Sequence, residues 1–157
     1  MKDLTILNEH LEVSEQTRQN FLKLLESHPQ EKRTSVASGF SNHPLWNFGH
    51  ALVTFYLLTY QRCAVDIPVS SELIDLYRKG SGAKEGQIET LDSLKIVATE
   101  AYPQFRSDLQ SGLLSNYSPY MTSYGISLNS LEEAVRFNTV HESLHLGYAM
   151  AQYKALG

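Results

Sequence analysis

The 157-residue chain has one cysteine, one tryptophan and no apolar run of membrane-spanning length. With Cys63 alone there is no internal disulfide, and a lone thiol suits a reducing compartment. Cys63 reads as a small core side chain, the alternative being a reactive or metal-facing thiol. The first ten residues lack the apolar stretch of a signal peptide. The most apolar segment, 45–60, is broken by Asn47, Gly49, His50, Thr54 and Thr59 and falls short of the roughly 20 residues a membrane span needs. A cytoplasmic protein without a membrane partner is the expectation. Charge is also sparse: 13 Lys and Arg against 17 Asp and Glu give a net charge of −4. The basic pairs Lys32-Arg33 and Arg78-Lys79 are too few to mark a nucleic-acid partner. Strand signals are missing too: no segment sustains alternation between hairpin turns, so no sheet is expected.

What is present is helical periodicity in a chain that is 42% hydrophobic and 19% charged, ordinary values for one globular domain over 1–157. Leu4, Leu7, Leu11, Ser14, Phe21 and Leu25 follow three-and-four spacing and predict a first helix over 3 to about 27, closed by His28-Pro29. Residues 30–39 read as a polar loop. A second helix starts near Asn42 to Pro44, with a capping side chain and an early proline, and runs to about Arg62. A third covers 88–110, with Pro103 expected to kink or interrupt it. The fourth opens on the capping box Ser130-Leu-Glu-Glu133 and carries Ala134, Val135, Asn138, His141, His145, Ala149 and Gln152 on one stripe. Four such helices predict an all-α four-helix bundle. The long connection from 63 to 86, with a short helix near 71–79, lets the second and third helices run parallel, giving the order up, down, down, up. The second long connection, 111–129, is rich in Tyr, Ser and Gly and reads as a surface loop or a pocket wall.

The chemistry concentrates in His141-Glu142-Ser-Leu-His145. Residues four apart lie about 40° apart around a helix, so two imidazoles can converge on one ion at about 2.0 to 2.1 Å. Hydrogen-bonded core histidines or a surface pair are the competing reading. The same letters spell the His-Glu-x-x-His of zinc peptidases, but the positions for the glycine and third histidine of one such class hold Tyr148 and Ala151. Only twelve residues follow His145 here, none of them Glu, Asp or His, so a downstream ligand is not expected. A third ligand must come from His10, His28, His43 or His50. His50 is the best placed, roughly 10 Å into the second helix at 1.5 Å per residue. His43 reads as a cap or surface residue, His10 as an exposed helix residue and His28 as a helix-end residue.

Three blocks carry a resemblance: Gly39-Phe-Ser-Asn42-His-Pro-Leu-Trp46-Asn-Phe-Gly49-His50, Tyr77-Arg-Lys-Gly80-Ser, and Phe137-Asn-Thr-Val-His141-Glu-Ser-Leu-His145-Leu-Gly147-Tyr. Through them the chain resembles the DinB superfamily of DinB-like metal-dependent enzymes. The resemblance implies a bundle of the order above, usually a homodimer, with nickel, zinc or a similar divalent ion held by His50, His141 and His145. Some relatives resemble transferases that use a low-molecular-weight thiol and others hydrolases.

Other candidates follow. Glu142 flanks the ligand face and is a candidate catalytic base or acceptor supporting a ligand, with an interhelical salt bridge as the alternative. Asn138 could line the pocket or make an interhelical hydrogen bond. Trp46, Tyr120 and Tyr124 are candidate pocket residues, against ordinary core and loop roles. Arg78 and Lys79 could attract an anionic substrate or be a solvated turn. Gly147 is expected to admit a neighbouring helix. The expected function is a small-molecule transferase or hydrolase, the rival a metal-binding or stress-response module without turnover.

Overall fold

The computed structural model describes residues 5–83 and 90–157. The expected first turn at 3–4, the end of the first long connection at 84–86 and the expected start of the third helix at 88–89 lie outside the described residues. Four long helices dominate: α1 (Thr5–Glu26), α3 (Pro44–Leu58), α5 (Leu91–Gln110) and α6 (Leu131–Leu156). Two short ones join them, α2 (Gln30–Arg33) and α4 (Ser71–Tyr77), with a 3₁₀ turn at Gln61–Cys63. The all-α expectation holds.

Several boundaries differ from expectation. Residues 30–33 form one helical turn within the anticipated polar loop. The second long helix stops at Leu58 instead of about Arg62. There the buried Thr59 hydroxyl bonds back to the Phe55 carbonyl at 2.7 Å, a local bond that competes with helix propagation. Pro103 sits within α5 without interrupting it. A two-stranded antiparallel ribbon, β1 (Tyr120–Met121) and β2 (Ser127–Leu128), appears where no sheet was expected. Two residues per strand are too few for alternation to register, and the turn between them is held by Thr122, whose backbone N–H donates to the Ile126 carbonyl at 3.0 Å.

Capping explains where the long helices begin. His43 is the N-cap of α3, its Nδ1 accepting from the Trp46 N–H at 3.0 Å, with Pro44 in the first turn. Ser130 caps α6 by accepting from the Glu133 N–H at 3.2 Å, and the Glu133 carboxylate accepts from the Asn129 N–H at 2.7 Å.

Residue pairs set the helices' relative directions. Ser14 meets Thr139 and Arg18 meets Glu142, so α1 and α6 ascend together. Asn47 meets Gln152 while His50 meets His145, so α3 runs against α6. Tyr60 bonds Asp108 and Phe55 packs on Tyr102, so α3 and α5 run alike.

Thirteen of the fifteen residues of α3 are buried, the pattern of a helix enclosed on all sides. Around it Phe21, Phe48, Leu52, Leu94 and Ala149 form one core cluster, and Leu11, Phe55, Tyr102, Phe105 and Val135 a second. Each fully buried Leu or Phe contributes about 1.5–3 kcal/mol, so this helix is held firmly while carrying Asn47 and His50 in its interior. Cys63 is buried in the second cluster, the core position expected for it.

Candidate metal centre

Polar groups inside a helix enclosed by apolar neighbours need partners, and those of α3 are arranged in a definite order. His50 lies flat against Trp46, ring centroids 4.9 Å apart and planes 7° from parallel. Its Nδ1 stands 2.7 Å from the Tyr77 carbonyl oxygen. Tyr77 is the last residue of α4, where carbonyls have no partner within the helix. A carbonyl only accepts, so Nδ1 of His50 carries the proton and Nε2 keeps its lone pair.

His145 is fixed by a longer relay. Gln152 Nε2 donates to the Asn42 backbone carbonyl at 2.7 Å, which turns Gln152 Oε1 toward Asn47. Asn47 Nδ2 donates to that oxygen at 2.9 Å, leaving Asn47 Oδ1 to accept from His145 Nδ1 at 2.8 Å. The lone pair of His145 therefore also sits on Nε2. Supporting bonds of this kind set the tautomer and orientation of metal-ligating imidazoles.

His141 completes the group. One ring nitrogen from each of His50, His141 and His145 lies within 4.8 Å of the others. The ring centroids are 4.5 Å apart for His141 and His145 and 5.3 Å apart for His50 and His141. Nδ1 of His141 is buried without a hydrogen-bond partner, a costly state for a polar atom. Burial, then the neighbouring histidines, pushes His141 down to about 2; burial, then His50, pushes His145 to about 4. Burial also lowers His50, with Lys79 adding to the effect. Three imidazoles gathered this closely, two of them with the Nε2 lone pair fixed, are a donor set that fits a divalent ion such as zinc or nickel.

A cavity of about 180 Å³ opens beside the cluster, with His50, His141, Thr54 and Phe137 in its wall. Tyr120 lines this cavity, whereas Tyr124 packs on Phe137 with ring centroids 5.9 Å apart and is not in the wall. Trp46 supports His50 from the core side and donates Nε1–H to Ser81 Oγ at 3.1 Å.

Glu142 is directed elsewhere. Its buried carboxylate pairs with the buried Arg18 guanidinium and accepts from Tyr102 Oη at 3.0 Å and Asn138 Nδ2 at 3.0 Å. Arg18 also lies over the Tyr102 ring at 4.3 Å. Burial opposes the Arg18 charge, yet Glu142 holds its pKa above the ordinary value. This is the interhelical salt bridge foreseen as the alternative for Glu142. Asn138 belongs to the same buried network rather than to the cavity wall.

His10 and His28 stand apart from the cluster, His28 stacked on Tyr153 with centroids 3.6 Å apart, and His43 serves as the cap. Gly147, expected to admit a helix, has nothing within 4 Å of a built Cβ; the tight glycine is Gly49, where such an atom would meet the Tyr77 ring at 2.3 Å. Sequence reasoning missed Arg18, Asn47 and Tyr77. Arg18 was detectable as the residue filling the gap between Ser14 and Phe21 in an otherwise apolar stripe. The part of Tyr77 is played by a backbone carbonyl, which leaves no mark in a sequence.

Fold and site together define a helical protein with a partly buried three-histidine cluster that could hold a metal ion. The model of the DinB superfamily matches residues 14–149, and the chain belongs to that superfamily. No curated protein matches the chain.

Proposed function

We propose that this protein is a metal-dependent enzyme of the DinB-like type, a small-molecule transferase or hydrolase whose divalent ion, nickel or zinc, is held by His50, His141 and His145. The observation that carries the reading is the pair of fixed tautomers in a histidine cluster whose His50 and His141 line a cavity: the Tyr77 carbonyl and the Asn42–Gln152–Asn47 relay leave His50 and His145 with lone pairs on Nε2. A structural site is normally closed by four protein ligands, whereas three leave a position open. When bound, a divalent ion there acidifies a water or a low-molecular-weight thiol toward neutral pH and so supplies a nucleophile.

The chain's residues do the rest. His50, His141 and His145 stay neutral and available at physiological pH because burial disfavours their protonation. Trp46 holds the His50 plane, and Leu57, Leu58 and Phe137 keep water away from one side of the cavity. Glu142 anchors α6 through Arg18 and leaves proton transfer to water or substrate. We further infer a homodimer, as the superfamily resemblance implies.

Metal analysis of the purified protein beside a His50→Ala variant tests the centre, with about one divalent ion per wild-type chain expected and a loss in the variant. Absence of stoichiometric metal in wild type would sink the reading. An electrophile offered with a panel of small thiols, against water alone, then separates transferase from hydrolase; no metal-dependent turnover favours a non-catalytic metal-binding or stress-response module.

A further inference from the structure

The cavity beside the histidines has an asymmetric wall. Leu57, Leu58, Phe137 and the Tyr120 ring supply apolar surface, while Lys79 and Arg62 bring two cations. None of its described lining residues is a carboxylate. This local surplus belongs to a chain with a net charge of −4, so it is not a general property of the surface.

The two cations differ in how they are held. Arg62 Nε donates to the Ser118 carbonyl at 3.0 Å and Nη2 to the Pro119 carbonyl at 2.7 Å, while its guanidinium lies 5.3 Å over the Tyr120 ring. It therefore clamps the segment that carries Tyr120 into the wall and keeps its charge. Lys79 has no carboxylate partner among the described residues. Its neighbour Arg78 takes the nearby Asp75 at 3.3 Å, so that acid is engaged with the other member of the pair.

We infer that the cavity is a binding site for a small organic carboxylate with an apolar body, Lys79 anchoring the carboxylate while Leu57, Leu58 and Phe137 take the body. The inference rests on the reading of this cavity as the substrate side of the histidine centre, and it names the substrate class. A neutral ligand gains nothing from the two cations, and a cationic ligand meets repulsion. Arg62 positions the Tyr120 wall and raises the local potential.

A bound divalent ion attracts any anion, so the decisive measurement uses metal-free protein. Calorimetry or chemical-shift titration compares 3-phenylpropanoate with its amide at millimolar concentration, in wild type, Lys79→Met and Lys79→Arg. Because Lys79 is exposed, the variants are expected to keep the wild-type circular dichroism spectrum. The carboxylate is expected to bind about tenfold more tightly than the amide. Lys79→Met should bring the two together with the amide unaffected, and Lys79→Arg should restore most of the preference. Equal binding of carboxylate and amide in wild type, no binding of either, or a preference that survives Lys79→Met overturns the inference. The metal reading is judged separately: stoichiometric metal with no carboxylate preference removes this proposal alone, and a carboxylate preference without metal binding removes the metal reading alone.

Discussion

The ring of Tyr77 lies 2.3 to 2.6 Å from where a Cβ on Gly49 would stand, and the carbonyl of the same tyrosine accepts from the histidine next along the chain, His50. The absence of a side chain at Gly49 therefore lets α4 approach α3 closely enough to orient a candidate metal ligand. Gly49→Ala forces a fully buried ring to move, and overpacking of this kind costs about 1–3 kcal/mol. Thermal melts should show that loss, and metal titration of the folded variant a weaker site. In a Tyr77→Leu background the same substitution should cost clearly less, since the two residues share one clash. Additive costs would show that the contact is not the cause.

Asn47 affects the centre without belonging to it. Asn47→Leu removes the acceptor that holds His145 Nδ1–H and frees the imidazole to change tautomer, so metal affinity should fall about 10–100-fold. Competition with a chromogenic chelator measures this. Unchanged affinity in a folded Asn47→Leu protein would break the link between the relay and the centre.

Glu142 and His141 are adjacent in sequence yet serve different ends. Glu142→Gln leaves the buried Arg18 charge without its counter-ion, a loss of about 3–5 kcal/mol, to be read from urea unfolding. Arg18→Met combined with Glu142→Gln should recover much of it. Metal stoichiometry of the folded Glu142→Gln protein should stay at the wild-type value. A variant with intact stability and abolished turnover would instead return Glu142 to the role of catalytic base.

The histidines make the metal-free protein sensitive to acid. In the unfolded chain they protonate near 6.5, whereas in the folded chain His145 does so near 4 and His141 near 2. Between those values the unfolded state binds more protons, so stability falls as pH drops below about 6.5. The slope is up to about 1.4 kcal/mol per pH unit for each such histidine. Urea midpoints of chelator-treated protein at pH 7, 6 and 5 should therefore decline, and His145→Gln should flatten the decline. A pH-independent midpoint over this range would contradict the burial assigned to these rings.

Much of this architecture is legible in the sequence because its signals are local. The stripe of Leu7, Leu11, Phe21 and Leu25, the cap at Ser130 and the spacing of His141 and His145 act within a turn or two of helix. The hairpin at Tyr120 was not legible, since two-residue strands have no period, and neither was the exposure of Gly147, which depends on what packs opposite. Gly49 and Gly147 look alike as letters; only the neighbouring helix tells them apart.

The sequence by itself determined that the chain is helical and that His141 and His145 share a helix face. Tertiary structure decided which nitrogen His50 and His145 present, through the Tyr77 carbonyl and the Asn47 amide. It also decided that Glu142 faces Arg18, since neighbours on a helix point about 100° apart and the packing of α1 against α6 selects the buried partner. The His-Glu-x-x-His letters specify spacing along one helix, while the direction of each side chain's hydrogen bonds is set by the helices packed around it.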